Sequence, residues 1–426
     1  MNDVLSSWLP TQLKDGWRLT KNREFCSIVN GYPCPSEGFN TNGEGIPIVR
    51  IRDITSGSTN TYFKGEYPSE QIINTNDLLI GMDGDFNVRL WSSGKALLNQ
   101  RCCNVRCKDE LIKKYLYFVL PIQLKIINEL KNSTTVKHLN NEDILDAQIV
   151  IPNKYDHISK IVNYLDSKTK CIDRILSVLN DILEKIIAYR QSLITRAVTK
   201  GLDPNVEMKD SGVEWIGKIP RNFKTIKLKY CLKSPLQYGA TESGCAEEEN
   251  YIRYIRITDI NPSGFLKENG KLYLPKEIAE QYPVKTKDIL FARSGATVGK
   301  TYFHNNKDDC CFAGYLIKAS LSDSKILPKF FYYFTKSACY DFWKDITLSK
   351  ATIQNISADR LNDLSVVCPP IQDQIQIIKF CDDLINETEA IAEIIKTTCN
   401  LLIEYRTSLI SAAVTGQLAI DEEASA

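Results

Sequence analysis

The sequence predicts an α+β protein made by tandem duplication, in which two similar globular domains are separated by two long antiparallel coiled-coil helices. Two observations predict this fold class: motifs of the first half recur in order in the second half, and two long stretches carry a heptad pattern. At 426 residues the chain is long enough to form two hydrophobic cores of ordinary size.

The duplication is visible in motifs that keep their order. Tyr189-Arg-Gln-Ser-Leu-Ile194 matches Tyr405-Arg-Thr-Ser-Leu-Ile410, which begins 216 positions later, and further matches follow at separations between 206 and 217. The segments 56–76 and 262–287 hardly match at all. A repeated scaffold with diverged loops predicts that the scaffold provides packing while the loops carry specificity.

The pattern changes to heptads after Pro152. One apolar series recurs every seven residues from Ile158 to Leu193, and the second half shows the same periodicity, which favours supercoiling of two helices. A helix lying on its own domain is the alternative. The other positions assigned to the seam are Ile161, Ile175, Ile182 and Tyr189 in the first helix, and Ile377, Cys381, Leu384, Ile391, Ile395, Leu402, Tyr405 and Leu409 in the second.

The globular parts carry short β-branched and aromatic runs, such as residues 46–51 and 251–257, and helical stretches near 111–130 and 328–343. Gly201 is expected to stop the first long helix. The predicted organisation is a first domain at 1–152, its helix at 153–200, a linker at 201–215, a second domain at 216–369, its helix at 370–416 and a tail at 417–426.

The composition is 43% hydrophobic and 25% charged, as in globular proteins, and no apolar run is long enough to span a membrane. The beginning of the sequence has no basic and apolar secretion signal, so we expect a cytoplasmic protein whose fourteen cysteines are buried and reduced. The net charge of +1 is low for a protein that binds DNA unaided.

A catalytic site is not evident. Gly295–Thr301 resembles a phosphate-binding loop, but Ser294 stands where that motif needs its first glycine. A structural turn and a basic loop that contacts DNA phosphate are the two remaining interpretations of this segment. The histidines, His138, His157 and His304, form no triad or metal cluster in the sequence, so a surface or packing role is expected for each.

The stretch Val198-Thr-Lys-Gly-Leu-Asp-Pro-Asn-Val-Glu-Met-Lys-Asp-Ser-Gly-Val-Glu-Trp-Ile-Gly-Lys-Ile-Pro220 closely resembles the central region of the specificity subunits of type I restriction–modification systems. The Tyr-Arg-x-Ser-Leu-Ile helix ends are similar to the same family, and the resemblance covers essentially the whole chain. Phe223 departs from it, because the family usually has tryptophan there.

The resemblance implies two target recognition domains that each read one half of a bipartite double-stranded DNA target. It implies that the helices act as a ruler and bind two methyltransferase subunits, which use S-adenosylmethionine to methylate adenine, and that this chain itself binds no cofactor or metal. Whether two motor-nuclease subunits that use ATP and magnesium also join stays open. A coiled-coil scaffold without a DNA role is the competing hypothesis, against which the diverged loops argue.

Contacts to bases or phosphates are expected on polar loops at corresponding places in both halves, with an ordinary surface role as the alternative for each residue. The predicted DNA-binding residues are Asp83, Asn87, Arg89, Thr134, Thr135 and Lys137 in the first half, and Arg293, Ser294, Thr297, Lys300, Lys350, Thr352 and Gln354 in the second. Arg50 and Arg256 are expected to form structural ion pairs instead. On the helices Tyr189, Arg190, Tyr405 and Arg406 are expected either to anchor partner subunits or to pack between the helices.

Overall fold

The computed structural model describes residues 8–130, 137–261, 264–295, 297–349 and 355–420. The chain divides into two compact units. Unit 1 comprises Met1–Leu179 and Thr397–Ala426, and unit 2 comprises Asn180–Lys396.

Unit 1 contains a mixed α+β domain in which one longer helix packs against short strands. Its strands are β1 (Trp17–Lys21), β2 (Cys26–Asn30), β3 (Phe39–Asn40), β4 (Ile46–Val49), β5 (Tyr62–Phe63), β6 (Ile72–Ile73), β7 (Leu78–Gly81), β8 (Val88–Leu90), β9 (Ala96–Leu98), β10 (Cys102–Cys107) and β11 (Gln148–Pro152). Its helices are α1 (Ile51–Ser56), α2 (Glu110–Leu130) and α3 (Asn141–Leu145).

The long helix α4 (Tyr155–Lys200) begins in unit 1 and ends in unit 2. The strands of unit 2 are β12 (Met208–Asp210), β13 (Lys218–Pro220), β14 (Lys224–Lys227), β15 (Gln237–Tyr238), β16 (Tyr251–Ile255), β17 (Leu272–Pro275), β18 (Pro283–Val284), β19 (Ile289–Ala292), β20 (Thr301–Phe303), β21 (Cys310–Phe312), β22 (Leu316–Ala319) and β23 (Ser365–Cys368). The helices that follow are α5 (Lys276–Ala279), α6 (Pro328–Phe334), α7 (Ala338–Ser349), α8 (Ala358–Asn362) and the second long helix, α9 (Ile371–Val414).

The sheets of the two units have matching topologies. One sheet runs β2-β10-β7-β8 in unit 1 and β15-β22-β19-β20 in unit 2. A second sheet contains one parallel contact in each unit, between β4 and β9 and between β16 and β21. The antiparallel pairs β1–β11 and β14–β23 also correspond, and each joins the beginning of a domain to the strand before its long helix. The tandem duplication predicted from the motifs is therefore confirmed.

The cores lie where these sheets meet the helices. In unit 1 the fully buried Leu78 and Ile80 of β7 pack in one cluster with Tyr115 of α2, Leu165 of α4 and Ala413 of α9. In unit 2 a corresponding cluster combines strands of the sheet with Val198 at the end of α4 and with the beginning of α9. Both long helices therefore contribute to both cores, so each globular domain is completed by one end of α4 and one end of α9.

Two arginine–aspartate pairs fix the turns that follow β4 and β16. The Asp53 carboxylate accepts hydrogen bonds from the backbone N–H and Nε of Arg50, at 3.0 and 3.2 Å. Asp259 accepts the equivalent bonds from Arg256, at 2.8 and 3.1 Å. Both carboxylates are buried, so the predicted structural ion pairs are confirmed.

The seam of α4 confirms one predicted apolar series and corrects the other. The series from Ile158 to Leu193 faces inward along the helix, being buried or half-buried. In the other series Ile161 is buried, but Ile175, Ile182 and Tyr189 are 41%, 40% and 62% exposed. The second inward series lies four residues after the first instead of three, and consists of Val162, Thr169, Leu176, Leu183 and Arg190.

The same correction applies to α9. Ile391 and Tyr405 were predicted in the seam but are 46% and 55% exposed. The inward series are 216 positions from those of α4, and consist of Cys381, Thr388, Ile395, Leu402 and Leu409 and of Ile385, Ala392, Cys399 and Arg406. Apolar residues occupy three neighbouring rows on these helices. Periodicity alone therefore could not show which of the two outer rows is buried, and the prediction chose the exposed one.

All fourteen cysteines fall within the described residues and are free thiols. Cys171 and Cys245 are exposed, so the expected burial applies to only part of the set. Within the described part of the chain, every helix is too short or too polar to cross a lipid bilayer.

Candidate nucleic-acid interface

Three segments that are distant in the sequence meet beside the end of β19 in unit 2. The Arg293 backbone N–H donates to the Tyr315 carbonyl at 3.0 Å, and the Ile356 N–H donates to the Arg293 carbonyl at 2.8 Å. Ser294 and Asn355 pair as an isolated antiparallel bridge. We name this meeting point the second junction and define it as residues 293–295, 313–315 and 355–356.

The second junction combines a guanidinium, an amide and two phenol rings. The Arg293 guanidinium lies over the Tyr238 ring, 4.7 Å from its centroid, and its Nε donates to Oδ1 of Asn355 at 3.3 Å. Tyr315 is 68% exposed, although its backbone is fixed by Arg293. The junction forms one wall of a groove that Thr241, Glu242 and Ser243 also line.

Unit 1 contains a counterpart, the first junction, which we define as residues 82–84, 99–101 and 137–139. Met82 N–H donates to the Arg101 carbonyl at 2.9 Å, and Leu139 N–H donates to the Met82 carbonyl at 2.8 Å. Asp83 and His138 form the equivalent antiparallel bridge. Each of these bonds has an equivalent in the second junction, and the equivalent residues lie 211 to 217 positions apart in the sequence.

The side chains of the first junction are charged. One oxygen of the Asp83 carboxylate lies 2.7 Å from Nδ1 of His138, and the other lies 3.3 Å from Nη1 of Arg101. The carboxylate is about one-quarter exposed, whereas the Arg101 side chain is 55% exposed. An acidic oxygen therefore holds an exposed guanidinium at the surface.

Of the predicted DNA-binding residues, Asp83, Lys137, Arg293 and Ser294 belong to the junctions. The Lys137 ammonium donates to Oδ1 of Asn128 at 2.7 Å. Thr134, Thr135, Lys350, Thr352 and Gln354 lie outside the described residues.

The remaining predicted residues lie away from the junctions or donate to the protein itself. Arg89 donates to the Thr55 carbonyl, 2.5 Å away, near the end of α1. Lys300 donates to the Ile260 carbonyl at 2.9 Å, and burial lowers the pKa of its ammonium. Asn87 is half-buried next to β8, and Thr297 lies in the turn before β20.

Sequence reasoning missed four residues of the junctions and the Tyr238 ring that lies against the second one. They are Arg101, His138, Tyr238, Tyr315 and Asn355. Asn355 directly follows the predicted Gln354, and an alignment of 99–101 with 313–315 through the flanking β9–β10 and β21–β22 strands would have found two more. Tyr238 belongs to β15, and its sequence carries no comparable signal.

The four predicted helix residues divide into two kinds. The guanidinium of Arg190 lies 3.8 Å from the Glu389 carboxylate in unit 2, and that of Arg406 lies 3.1 Å from Asp173 in unit 1. Both arginines therefore join the two helices. Tyr189 and Tyr405 are more than half exposed, so the rings do not pack between the helices.

Comparison with known proteins identifies the family. The sequence model of the type I restriction modification DNA specificity domain matches residues 14–184 and again residues 220–398. The chain is 28% identical over 418 residues to the type I restriction enzyme EcoBI specificity subunit of Escherichia coli, covering 95% of this chain and 87% of that protein. It is 20% identical to the StySPI specificity subunit of Salmonella potsdam over 428 residues, covering 96% and 90%.

A solved structure agrees with the fold. A chain from a study of complex assembly and conformational transition in the type I restriction–modification system superposes with a TM-score of 0.69, at 16% identity, covering 96% of this chain and 100% of that one. The two family matches coincide with the two halves of the duplication. The chain belongs to the type I restriction–modification DNA specificity family, as a non-catalytic subunit that recognises DNA sequence within a restriction–modification complex.

Proposed function

We propose that the chain reads a bipartite target in double-stranded DNA, one half with each unit, and that two methyltransferase subunits bind along its long helices. The observation that carries the first part is the pair of junctions. The same backbone hydrogen bonds hold Asp83 beside His138 in one unit and Ser294 beside Asn355 in the other. To read two different half-sites, the two units need different exposed side chains on a common scaffold, and the junctions have this arrangement.

The low net charge supports the view that base contacts and phosphate contacts are made by different subunits of the complex. A chain with a formal charge of +1 has little excess of basic groups to neutralise phosphates. We therefore assign much of the phosphate contact to partner subunits that surround the duplex. These partners bind S-adenosylmethionine as the methyl donor, and restriction subunits, where they join, use ATP with magnesium. The site of action is the cytoplasm, where the DNA is accessible.

The second part of the proposal rests on exposed apolar side chains that recur in both units. Unit 1 exposes Ile175, Ile403 and Tyr405 on its parts of the long helices. Unit 2 exposes the residues 216 positions away, Ile391, Ile187 and Tyr189. Exposed apolar and tyrosine side chains are typical of binding surfaces. Because each unit carries one full set, the proposal assigns one copy of the same partner to each unit.

The target is tested by methylome sequencing of cells that contain this chain and its methyltransferase partner. We expect adenine methylation in a motif made of two specific halves with an unread spacer. Replacing residues 1–152 with those of a relative should change one half only. A continuous motif, or a change in both halves, would contradict the bipartite reading.

The stoichiometry is tested by native mass spectrometry of the purified complex. Tyr189→Ser or Tyr405→Ser alone should leave one methyltransferase subunit bound, and the double variant should leave none. Tyr230→Ser is a matched control, because Tyr230 is 60% exposed in unit 2 but lies outside the long helices. Retention of two partner subunits by the double variant would contradict this docking surface.

A further inference from the structure

Each junction contains one guanidinium that is oriented by the oxygen of a neighbouring side chain. In the first junction Arg101 is held by the Asp83 carboxylate. In the second junction Arg293 is held by the Asn355 amide oxygen and by the face of the Tyr238 ring. We infer that Arg101 and Arg293 are the guanine-reading residues of the two half-sites, an inference that rests on the proposed bipartite recognition.

The two arginines come from different segments of the common backbone arrangement. Arg101 immediately precedes β10 and lies where unit 2 has Tyr315, whereas Arg293 follows β19 and lies where unit 1 has Met82. The oxygen that orients each of them also comes from a different segment. Both units therefore present a guanidinium, but from different positions of the scaffold. This is expected if the guanine occupies a different position in each half-site.

Stability does not account for these contacts. The Arg101 side chain is 55% exposed, and ion pairs of this exposure contribute only about 0–1 kcal/mol. The bond of Arg293 uses only Nε, and among the described residues no hydrogen bond or ion pair involves its terminal Nη atoms. A guanidinium held at one edge keeps donors for O6 and N7 of guanine, the pair of acceptors that arginine recognises most often in the major groove.

An oriented arginine discriminates better than a free one. A long side chain that is already held loses less conformational entropy when it binds. Asp83 is itself fixed by His138 at 2.7 Å, so the carboxylate that holds Arg101 is supported from the other side. Asn355 is fixed through the backbone bridge to Ser294. Both supports contact the residue that holds the arginine, so their loss should weaken guanine discrimination without changing the base preferred.

The test is methylome sequencing of Arg101→Ala and Arg293→Ala in the complete methyltransferase complex. We expect each variant to lose one G·C requirement in one half-site, with discrimination falling by roughly 5- to 150-fold, while the other half stays unchanged. Arg106→Ala is the control for Arg101, because Arg106 is an exposed arginine five residues further on, in β10. Variants that retain the full motif, or relax only A·T positions, would overturn the inference.

A second measurement applies if an alanine variant does not fold. Glutamine pairs with adenine, so Arg293→Gln should shift the preference at its position from guanine towards adenine. For binding measured by fluorescence anisotropy, 7-deazaguanine at the assigned position should weaken the wild-type complex but not the Arg293→Gln complex. Equal weakening of both would overturn the inference. A wild-type complex that methylates an unsplit motif would instead contradict the proposed bipartite function.

Discussion

Arg406 of α9 and Asp173 of α4 form an ion pair between the two long helices in unit 1, with Nε and Oδ1 3.1 Å apart. The residues 216 positions away, Arg190 and Glu389, form the corresponding pair in unit 2, at 3.8 Å. The same contact is thus made once by each copy of the duplicated sequence. In each unit the ion pair therefore joins equivalent positions of the two long helices.

The first prediction concerns the strength of these pairs. In a double-mutant cycle with Arg406→Ala and Asp173→Ala, we expect a coupling energy of about 0.2–1 kcal/mol, because the pair is partly exposed. The coupling between Arg190 and Glu389 should be weaker, since their separation is larger. Chemical denaturation of the variants measures both values. A stronger coupling in unit 2 would contradict the ranking drawn from the distances.

The second prediction concerns the helices as a ruler. Inserting one heptad midway between Asp173 and Arg190 in α4, and one midway between Glu389 and Arg406 in α9, keeps the seam in phase. Each insertion lengthens its helix by about 10.5 Å, which corresponds to about three base pairs of DNA. We expect an unread spacer that is about three base pairs longer between unchanged half-sites.

Methylome sequencing of the double-insertion variant measures the spacer directly. A heptad inserted into α4 alone is the control, because it should put the two helices out of register and abolish methylation. If the double insertion keeps both activity and the original spacer length, the helices do not determine the spacing.

The sequence was sufficient to predict the duplication, because packing residues repeat in both halves and keep their order. The buried pairs Arg50–Asp53 and Arg256–Asp259 are an example, since each is local to four residues. The residues that form the seam between the two long helices were harder to predict. Leu176 and Ile175 are both apolar neighbours on α4, and only the partner helix determines which one is covered.

Among the predicted junction residues, Asp83 and Arg293 could be assigned from the strand pattern, whereas Lys137 was assigned from its position in a polar loop. Asp83 and Arg293 follow β7 and β19 closely. Arg101, Tyr315 and Asn355 join them through backbone hydrogen bonds between segments distant in the sequence. A local sequence pattern does not encode contacts between such distant segments, so these three residues could be assigned only from the three-dimensional structure.

The third prediction concerns two glycines at equivalent places. A Cβ on Gly31 would lie 2.1 Å from the Asn99 carbonyl oxygen, and one on Gly239 would lie 2.1 Å from that of Phe312. Because both contacts are with backbone, neither can be relieved by a side-chain rotation. We expect Gly31→Ala and Gly239→Ala each to lower the free energy of unfolding by about 3 kcal/mol.

Hydrogen–deuterium exchange should locate the loss of protection in unit 1 for Gly31→Ala and in unit 2 for Gly239→Ala. Gly43→Ala is the control, since Gly43 has a left-handed φ of +83° but nothing within 4 Å of its Cβ position. It should cost about 1–2 kcal/mol through backbone strain alone. Equal effects of Gly31→Ala and Gly43→Ala would argue against the steric explanation.

The last prediction concerns Lys336, a half-buried lysine of unit 2. Its Nζ donates to the Thr301 carbonyl at 3.0 Å and lies 4.6 Å from the centroid of the Tyr332 ring. Burial, assisted by the positive charge of Lys300, lowers the pKa of Lys336 from 10.5 to about 7. Between pH 7 and 10.5 the unfolded chain therefore binds more protons at this residue than the folded chain does. The contribution of Lys336 to stability should rise with pH across this window and be constant below it.

Thermal denaturation of the wild type and of Lys336→Met between pH 6 and 9.5 tests this sign. The melting temperature of the variant relative to the wild type should be highest near pH 6–7, and it should fall as the pH rises, because the wild type loses its buried positive charge. Other groups that titrate in this range are common to both proteins and cancel in the difference. Lys209→Met, which replaces an exposed lysine of unit 2, should show no such trend. A difference that stays constant or grows with pH would mean that Lys336 remains charged in the folded protein, held by the Thr301 carbonyl and the Tyr332 ring.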